Sequence, residues 1–287
     1  ISGKDIFSSF PVQAPMKVYE REYWWSDKWD PKEYGRDYNF SRPFFEQFRE
    51  LLYSTPLYSK STLNLINSDY CDQAGFLKNC YLCFDSGNSE NSAYTTWMDS
   101  VKDSFDIYDV FKSEFCYESV LISEGYRIFF SVDCEQSTDI WFSKDLVGCN
   151  SCFGCVNLRN KSYHIFNEPH SKEEYAKKLK EFNIGSHRSM QEILQKARTL
   201  WARFPVKYLH GYHNVNVSGE DIQYAKNVRY SHGVQNAENI KYSQELFNQV
   251  TDAYDYTSFG YNTALVYESA TCGFQSSGLK FCWECWD

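Results

Sequence analysis

The sequence predicts a mainly β fold, a β-solenoid-like stack of strand–turn repeats of about twelve residues, present in two copies. Three observations lead to this prediction. Small residues recur at every twelfth position from Ser68 to Asn167, aromatic residues follow them at the same spacing, and the pattern returns in the C-terminal part of the chain. Turn-forming stretches such as 85–88 separate strand-like stretches such as 80–84.

The period is clearest in two columns of small residues, which contain no gap. The first column is mostly Cys or Ser and comprises Ser68, Cys80, Ser92, Ser104, Cys116, Ile128, Ile140, Cys152 and His164. The second lies three residues later and comprises Cys71, Cys83, Thr95, Ile107, Ser119, Ser131, Ser143, Cys155 and Asn167. We expect equivalent positions to stack on neighbouring strands, because small side chains fit a crowded column.

A second copy of the repeat is recognised from shorter matches. Residues 77–81 resemble 225–229, and residues 116–119 resemble 266–269, so that the offset drifts from 148 to 150 residues. We therefore assign residues 64–170 to a first β-repeat unit and residues 206–287 to a second. The second unit stops before an equivalent of GCNSCFGCVNLRNK, and the chain begins at Ile1 without Met, so we expect a fragment with an incomplete second unit.

Two segments do not follow the repeat. We interpret residues 1–63 as a Trp-rich N-terminal capping segment with one helix, which begins at the Ser-Arg-Pro stretch 41–43 and continues to about Leu52. We interpret residues 171–205 as a helical insert, because a capping-box pattern at 171–174 precedes an apolar periodicity. Its two helices, 171–183 and 186–203, are expected to pack on the solenoid through Leu179, Phe182, Ile193, Leu194, Leu200 and Trp201.

The composition limits the function classes. The formal net charge of −9 argues against a general nucleic-acid binder, whose affinity comes mainly from Lys and Arg contacts to phosphates. No apolar stretch approaches the roughly 18 residues that span a bilayer, so we expect no membrane association. Eleven cysteines cannot all pair within the chain, and a Cys-rich chain without a signal pattern fits the reducing cytoplasm. The aromatic share of 18% is far above ordinary usage.

Three cysteines in the GCNSCFGC stretch are candidate metal ligands: Cys149, Cys152 and Cys155. Their thiolates could hold zinc or an iron–sulfur cluster if the stretch folds as a knuckle. Residues three apart on a regular strand point to opposite faces, however, and Ser replaces Cys freely in the two columns. We therefore favour buried, metal-free ladder residues for Cys152 and Cys155. This interpretation does not explain Cys149 and Cys134, which lie outside the two columns.

Two other stretches contain candidate binding residues. Trp24, Trp25 and Trp29 could stack on a sugar or a base as a binding surface, but we favour a cap over the terminal strand of the repeat. His210 and His213 have a ligand-like spacing without a clear partner. We identify no catalytic residue, no phosphate loop and no dinucleotide fingerprint, so we expect no cofactor other than zinc or an iron–sulfur cluster at the cysteines.

The stretches KVYEREYWWSDKWDPKEYGRDYNFSRPFFEQFREL, NSDYCDQAGFLKNCYLCF and NSCFGCVNLRNKSYHIFNE carry a resemblance that spans nearly the whole chain. The chain resembles a family of uncharacterised Cys/Asn-rich repeat proteins from candidate-phyla-radiation (patescibacterial) genomes. The resemblance implies zinc-ribbon-like CxxC pairs upstream of two repeat copies, and it implies no activity. Some members have a Cys-x-x-Cys pair where this chain has Glu20 and Tyr23, which puts an N-terminal zinc site in doubt.

Taken together, the sequence favours a non-enzymatic repeat scaffold that binds another macromolecule, a protein or other partner. The first alternative is a cysteine-ligated zinc or iron–sulfur protein with a redox or enzymatic role. The second alternative is an RNA- or ribosome-associated protein that uses aromatic stacking and the basic insert, which the acidic total disfavours. The basic residues of the insert are Lys172, Lys177, Lys178, Lys180, Arg188, Lys196, Arg198 and Arg203.

Overall fold

The chain divides between Phe204 and Pro205 into two units in a computed structural model, which describes residues 5–258 and 260–283. Strands account for 45% and helices for 15%, so the prediction of a mainly β protein is confirmed.

Helices lie in the N-terminal segment and in the predicted insert. The first segment contains β1 (Val18–Tyr19), α1 (Arg21–Trp24), a 3-10 helix (Pro31–Tyr34), α2 (Phe44–Ser54) and β2 (Leu57–Tyr58). The insert contains α3 (Lys172–Leu179) and α4 (His187–Trp201). The capping box predicted at Ser171 and Glu174 is present, with both reciprocal hydrogen bonds formed.

The strands of the first unit follow one another at short intervals. They are β3 (Thr62–Leu63), β4 (Asp72–Gly75), β5 (Tyr81–Gly87), β6 (Ala93–Asp99), β7 (Phe105–Phe111), β8 (Glu114–Ser123), β9 (Tyr126–Phe129), β10 (Val132–Glu135), β11 (Thr138–Trp141), β12 (Lys144–Val147), β13 (Asn150–Phe153), β14 (Val156–Arg159), β15 (Ser162–Ile165) and β16 (Glu168–Pro169). From β3 to β15 they pair in parallel at a spacing of twelve residues, as in Cys83 with Thr95 and Ile140 with Cys152. Residues of one predicted column therefore occupy equivalent positions on neighbouring strands, as expected.

The second unit repeats this arrangement with a less regular spacing. Its strands are β17 (Gly211–Tyr212), β18 (Val215–Gln223), β19 (Lys226–Gln235), β20 (Ala237–Lys241), β21 (Gln244–Leu246), β22 (Val250–Thr257) and β23 (Ala264–Ala270). The pairs are again parallel, and the register is twelve residues between Lys226 and Glu238 but thirteen between Thr251 and Ala264. Single-residue insertions at the turns explain the drifting offset seen in the sequence.

The backbone of the first unit has a shorter period that the sequence did not reveal. From Asn64 to Phe166, every third residue has a positive φ between 46° and 68°. The left-handed conformation is favourable for Gly, Asn and Asp, but here Tyr, Phe and Leu adopt it as well. Such a residue turns the chain and interrupts the alternation of an extended strand, so residues three apart can point to the same side.

Burial follows the same triplet, and this corrects two sequence-based inferences. Cys149, Cys152 and Cys155 are all buried, so residues three apart do not point to opposite faces. Cys149 and Cys134 are not outside the repeat, because they lie on two further inward columns. One column continues through Leu77, Ser89, Val101, Ser113, Gly125, Ser137 and Cys149, and the other through Ala74, Ser86, Met98, Val110, Ile122, Cys134 and Leu146.

The three residues of each period differ in the acceptor of their backbone N–H group. The N–H of Phe130, a left-handed residue, donates to Tyr117 in the preceding repeat at 2.9 Å, and the N–H of Val120 donates to Ser131 in the following repeat at 3.0 Å. The third residue of the triplet points inward. Its N–H is accepted by the inward side chain twelve residues earlier where that residue is Ser, as Ser131 Oγ accepts from Ser143 N at 3.1 Å. The columns therefore favour Ser because it satisfies a buried donor.

The insert covers one end of an aromatic face of the first unit. Phe142 and Phe153 on that face are fully buried against Tyr175, Ile193 and Leu194. Leu179, Phe182, Met190 and Trp201 pack against the same cluster. The predicted packing of the helices is confirmed except for Leu200, which is half-buried and outside the cluster.

Candidate functional site

The three cysteines of the GCNSCFGC stretch converge in the core of the first unit. Each thiol also lies near backbone carbonyls: Cys149 Sγ is 3.5 Å from Leu158 O, Cys152 Sγ is 3.6 Å from Asn150 O, and Cys155 Sγ is 3.4 Å from His164 O. The side chains are hydrogen-bonded to one another in the order 149, 152, 155. The structure therefore brings together three thiols that the sequence alone did not place on one side.

The protonation of these thiols follows their mutual hydrogen bonds. The bond with Cys152 and burial raise the pKa of Cys149. The bond with Cys149 lowers the pKa of Cys152, but the bond with Cys155 and burial outweigh it and raise the value to about 12. The bond with Cys152 lowers the pKa of Cys155. These shifts thus stabilise the thiol form of Cys149 and Cys152 and favour the thiolate form of Cys155.

A similar group occurs near the N-terminal end of the same core. Cys83 is hydrogen-bonded to Cys71 and to Cys80, and all three side chains are buried. The bond with Cys83 lowers the pKa of Cys71 and, together with backbone bonds, lowers that of Cys80 to about 7. The bond with Cys71 raises the pKa of Cys83 itself. Cys83 is thus the hydrogen-bond partner of both other thiols, and its own pKa is the one that is raised.

The arrangement of possible metal ligands in the described chain disfavours a metal site in this fold. Among residues 5–258 and 260–283, no three His, Cys, Asp or Glu side chains are grouped so that they could hold a metal ion. Cys149, Cys152 and Cys155 therefore do not form such a group in this fold. A zinc or iron–sulfur site at these residues would require the strand that contains them to refold as a knuckle, and elemental analysis is the direct test.

The tryptophans of the N-terminal segment are held mainly by one another and by backbone carbonyls. Trp24 donates its indole N–H to Pro56 O at 3.0 Å, and Trp29 donates its own to Trp24 O at 2.6 Å. Trp25 is 66% exposed and contacts Trp24 edge to face. Of the predicted binding surface, only Trp25 is open, while Trp24 and Trp29 are half-buried in an aromatic cluster with Tyr19, Tyr23, Tyr34 and Tyr58.

His210 and His213, the two histidines with ligand-like spacing, have neighbours other than each other. His210 Nδ1 pairs with Glu220, and the ring of His213 stacks on Tyr224 with 4.9 Å between centroids. The basic residues of the insert all lie on the exposed sides of α3 and α4 or at their ends. Lys196 additionally lies over the ring of Phe166 at 4.2 Å, so it contributes to the packing of α4.

Rows of exposed aromatic rings are the surface feature that sequence reasoning missed. In the first unit, Tyr70, Tyr81 and Tyr94 follow one another with ring centroids 5.5 and 5.9 Å apart, and each ring is between 42% and 54% exposed. In the second unit, Tyr230 and Tyr242 stack with centroids 5.5 Å apart and are 68% and 51% exposed. Of the three rings in the first unit, Tyr81 belongs to the twelve-residue aromatic column seen in the sequence, while Tyr70 and Tyr94 are left-handed residues one position beyond that column. Without knowledge of the left-handed residue at every third position, the sequence did not show that these rings face outward.

An asparagine ladder runs beside these rings and has the same form in both units. Asn67 donates to Asn79, Asn79 to Asn91, and Asn91 to Asp103, over 2.9, 2.9 and 3.0 Å. The second unit has the same order of three asparagines and a terminal aspartate: Asn216, Asn227, Asn239 and Asp252. Because each side-chain amide both accepts and donates, the ladder fixes the register between repeats and ends at a carboxylate that only accepts.

Comparisons with known proteins add no functional assignment. The sequence matches no family model and no curated protein. Among solved structures, it is similar to a crystal structure from Desulfovibrio desulfuricans G20 to which an acetyltransferase activity is provisionally assigned, with 11% identity and a TM-score of 0.13. The match covers 78% of this chain and 61% of that one. At this TM-score the likeness supports neither a fold nor an activity.

Within the described part of the chain, no helix combines the length and the apolar character needed to cross a membrane.

Proposed function

We propose that this chain is a non-enzymatic repeat scaffold that binds another macromolecule, and that its two strand-rich units are β-solenoids with one winding per twelve or thirteen residues. The solenoid is supported by parallel pairing at these spacings through each unit. A stack of short windings presents long, regular rows of side chains, which suit recognition of an extended partner surface.

The main support for this proposal is the rows of exposed aromatic rings. The aromatic face of the first unit is covered by α3 and α4 at its C-terminal end, whereas Tyr81, Tyr94 and Phe105 remain between 42% and 54% exposed at its N-terminal end. Exposed aromatic rings offer a large rigid contact area at a low entropy cost, and they are enriched where proteins bind partners. We place the protein in the cytoplasm as part of the proposal, since the cysteines of the first unit are all free thiols.

A photo-crosslinking experiment tests this function. A photoreactive phenylalanine analogue replaces Tyr94 in one variant of the full chain and Tyr242 in another, and a third variant carries it at Tyr208 as the control, because Tyr208 is 92% exposed outside the rows. We expect a macromolecule to be crosslinked in cells from positions 94 and 242 but not from 208. The same crosslinks at 208, or none at 94 and 242, would contradict the proposal.

A further inference from the structure

The two units carry the same pair of aromatic–acidic dipeptides on their open faces. In the first unit these are Phe105-Asp106 and Tyr117-Glu118, and Phe105 pairs in register with Tyr117. In the second unit they are Tyr254-Asp255 and Tyr267-Glu268, and Tyr254 pairs with Tyr267. In both units the aromatic residue is extended and the acidic residue that follows is left-handed, with φ between 44° and 54°.

The rings and the carboxylates of each pair lie close enough to interact. In the first unit, burial and the charges of Glu118 and Asp106 raise the pKa of Tyr117. In the second unit, a hydrogen bond to Glu268 and the charges of Glu268 and Asp255 raise the pKa of Tyr267. In both units the tyrosine thus lies near the carboxylates of both dipeptides.

The exposure of these rings leaves their faces open to a partner. Phe105 and Tyr254 are each 44% exposed, and Tyr267 is 41% exposed. A third carboxylate stands in the same repeat of each unit, since the asparagine ladders end at Asp103 and Asp252. Tyr117 is half-buried and packs edge to face against Phe130. The first face therefore combines one open ring with three carboxylates, and the second combines two open rings with three carboxylates.

We propose that each of these two faces binds an arginine-rich segment of a partner polypeptide, a proposal that rests on the scaffold function above. A guanidinium group stacks on an aromatic ring and forms bidentate bonds with a carboxylate, and the dipeptides offer both groups side by side. The net charge of −9 attracts a basic partner over a longer range.

Calorimetric titration of the full chain with an (Arg-Gly)6 peptide tests the proposal, with (Lys-Gly)6 as the comparison probe. We expect two sites per chain and tighter binding of the arginine peptide, because lysine makes no bidentate bond and stacks less well. Phe105→Ser with Glu118→Gln should remove the site of the first unit, and Tyr254→Ser with Glu268→Gln the site of the second. Should a ring variant fail to fold, Asp106→Asn with Glu118→Gln tests the same face with its rings intact.

A matched variant separates this face from overall charge. Tyr208→Ser with Glu173→Gln also removes one exposed ring and one exposed carboxylate, and it should keep both sites. Loss of a ring alone should weaken binding at its face by roughly two- to fivefold, the range of an exposed cation–π contact. An unchanged stoichiometry in the face variants, an equal loss in the matched variant, equal affinity for both peptides, or self-association of the chain through these faces would overturn the proposal.

The crosslinking experiment distinguishes this inference from the scaffold function. Crosslinks at positions 94 and 242 without arginine-peptide binding would overturn only the identity of the partner. Failure of both experiments would overturn the scaffold function as well.

Discussion

Ser143 Oγ accepts a hydrogen bond from the backbone N–H of Cys155, which lies twelve residues further along the chain, at 2.9 Å. The same hydroxyl donates to Trp141 O at 2.8 Å. One buried side chain thus satisfies two backbone groups in two successive repeats. This relationship explains why Ser recurs in a core that is otherwise filled by aliphatic residues and Cys.

Replacing that serine should destabilise the first unit. Ser143→Ala leaves the N–H of Cys155 without its acceptor, and we expect a loss of ~1–3 kcal/mol in the free energy of unfolding. Urea denaturation followed by circular dichroism measures it. Ser100→Ala is the control, because Ser100 is exposed and its hydroxyl bonds only to Asp99 at 2.9 Å. Equal midpoints for the two variants would show that the inward hydroxyl does not contribute.

The asparagine ladder should stabilise the register of the repeats. Asn91→Gly keeps the left-handed backbone, which glycine adopts readily, but removes the bonds to Asn79 and Asp103. Gln73→Gly is the control at an exposed left-handed position, with φ 48°. We expect Asn91→Gly to lower the unfolding free energy by about 1 kcal/mol more than Gln73→Gly, the usual contribution of hydrogen bonds of this kind. No difference between the variants would mean that the ladder is only a consequence of the fold.

The helical insert should stabilise only the part of the aromatic face that it covers. Phe153→Ala removes a fully buried ring that lies 4.7 Å from Phe182 and 5.3 Å from Phe142, and the expected cost is about 3–5 kcal/mol. Phe105 occupies the equivalent position four repeats earlier and is 44% exposed, so Phe105→Ala should cost well under half as much. Thermal unfolding of both variants is the measurement. Comparable losses would indicate that the insert does not seal this face.

Stability should fall in alkaline solution because buried thiols resist ionisation. Burial raises the pKa of Cys116 from an ordinary value of 9.0 to about 12. Between these pH values the unfolded chain releases the proton and the folded chain keeps it, so stability is complete below pH 9 and declines by ~1.4 kcal/mol per pH unit above it. Urea midpoints from pH 8 to 10 should fall less steeply for Cys116→Ala than for the parent chain. Parallel curves would contradict the assignment.

The thiols of the GCNSCFGC stretch should be free of metal. We expect protein purified without chelator to contain no stoichiometric zinc or iron. Cys149→Ser, Cys152→Ser and Cys155→Ser should each cost of order 1–3 kcal/mol unless the new hydroxyl finds a hydrogen-bond partner, because a buried hydroxyl without one is costlier than a thiol. Elemental analysis beside denaturation of each variant is the measurement. Stoichiometric metal that is lost in all three variants, together with unfolding of the surrounding strands, would favour a knuckle instead.

The sequence by itself determined the period, the two copies and the position of the insert. These features depend on which residue types recur and where apolar residues lie on a helix, and both can be read without coordinates. The helices at 171–183 and 186–203 were anticipated because a cap and a 3.6-residue periodicity are local properties of the chain.

Only the tertiary structure decided which way the side chains point. A regular strand places residues three apart on opposite sides, and that rule separated Cys149, Cys152 and Cys155 in the sequence analysis. In the fold, the left-handed residues Ser151 and Gly154 lie between them, and all three thiols enter one core. Residues as varied as Tyr, Leu and Glu adopt this conformation in the repeats, so composition does not reveal it. They are held there by hydrogen bonds between neighbouring repeats, which exist only once the strands have stacked.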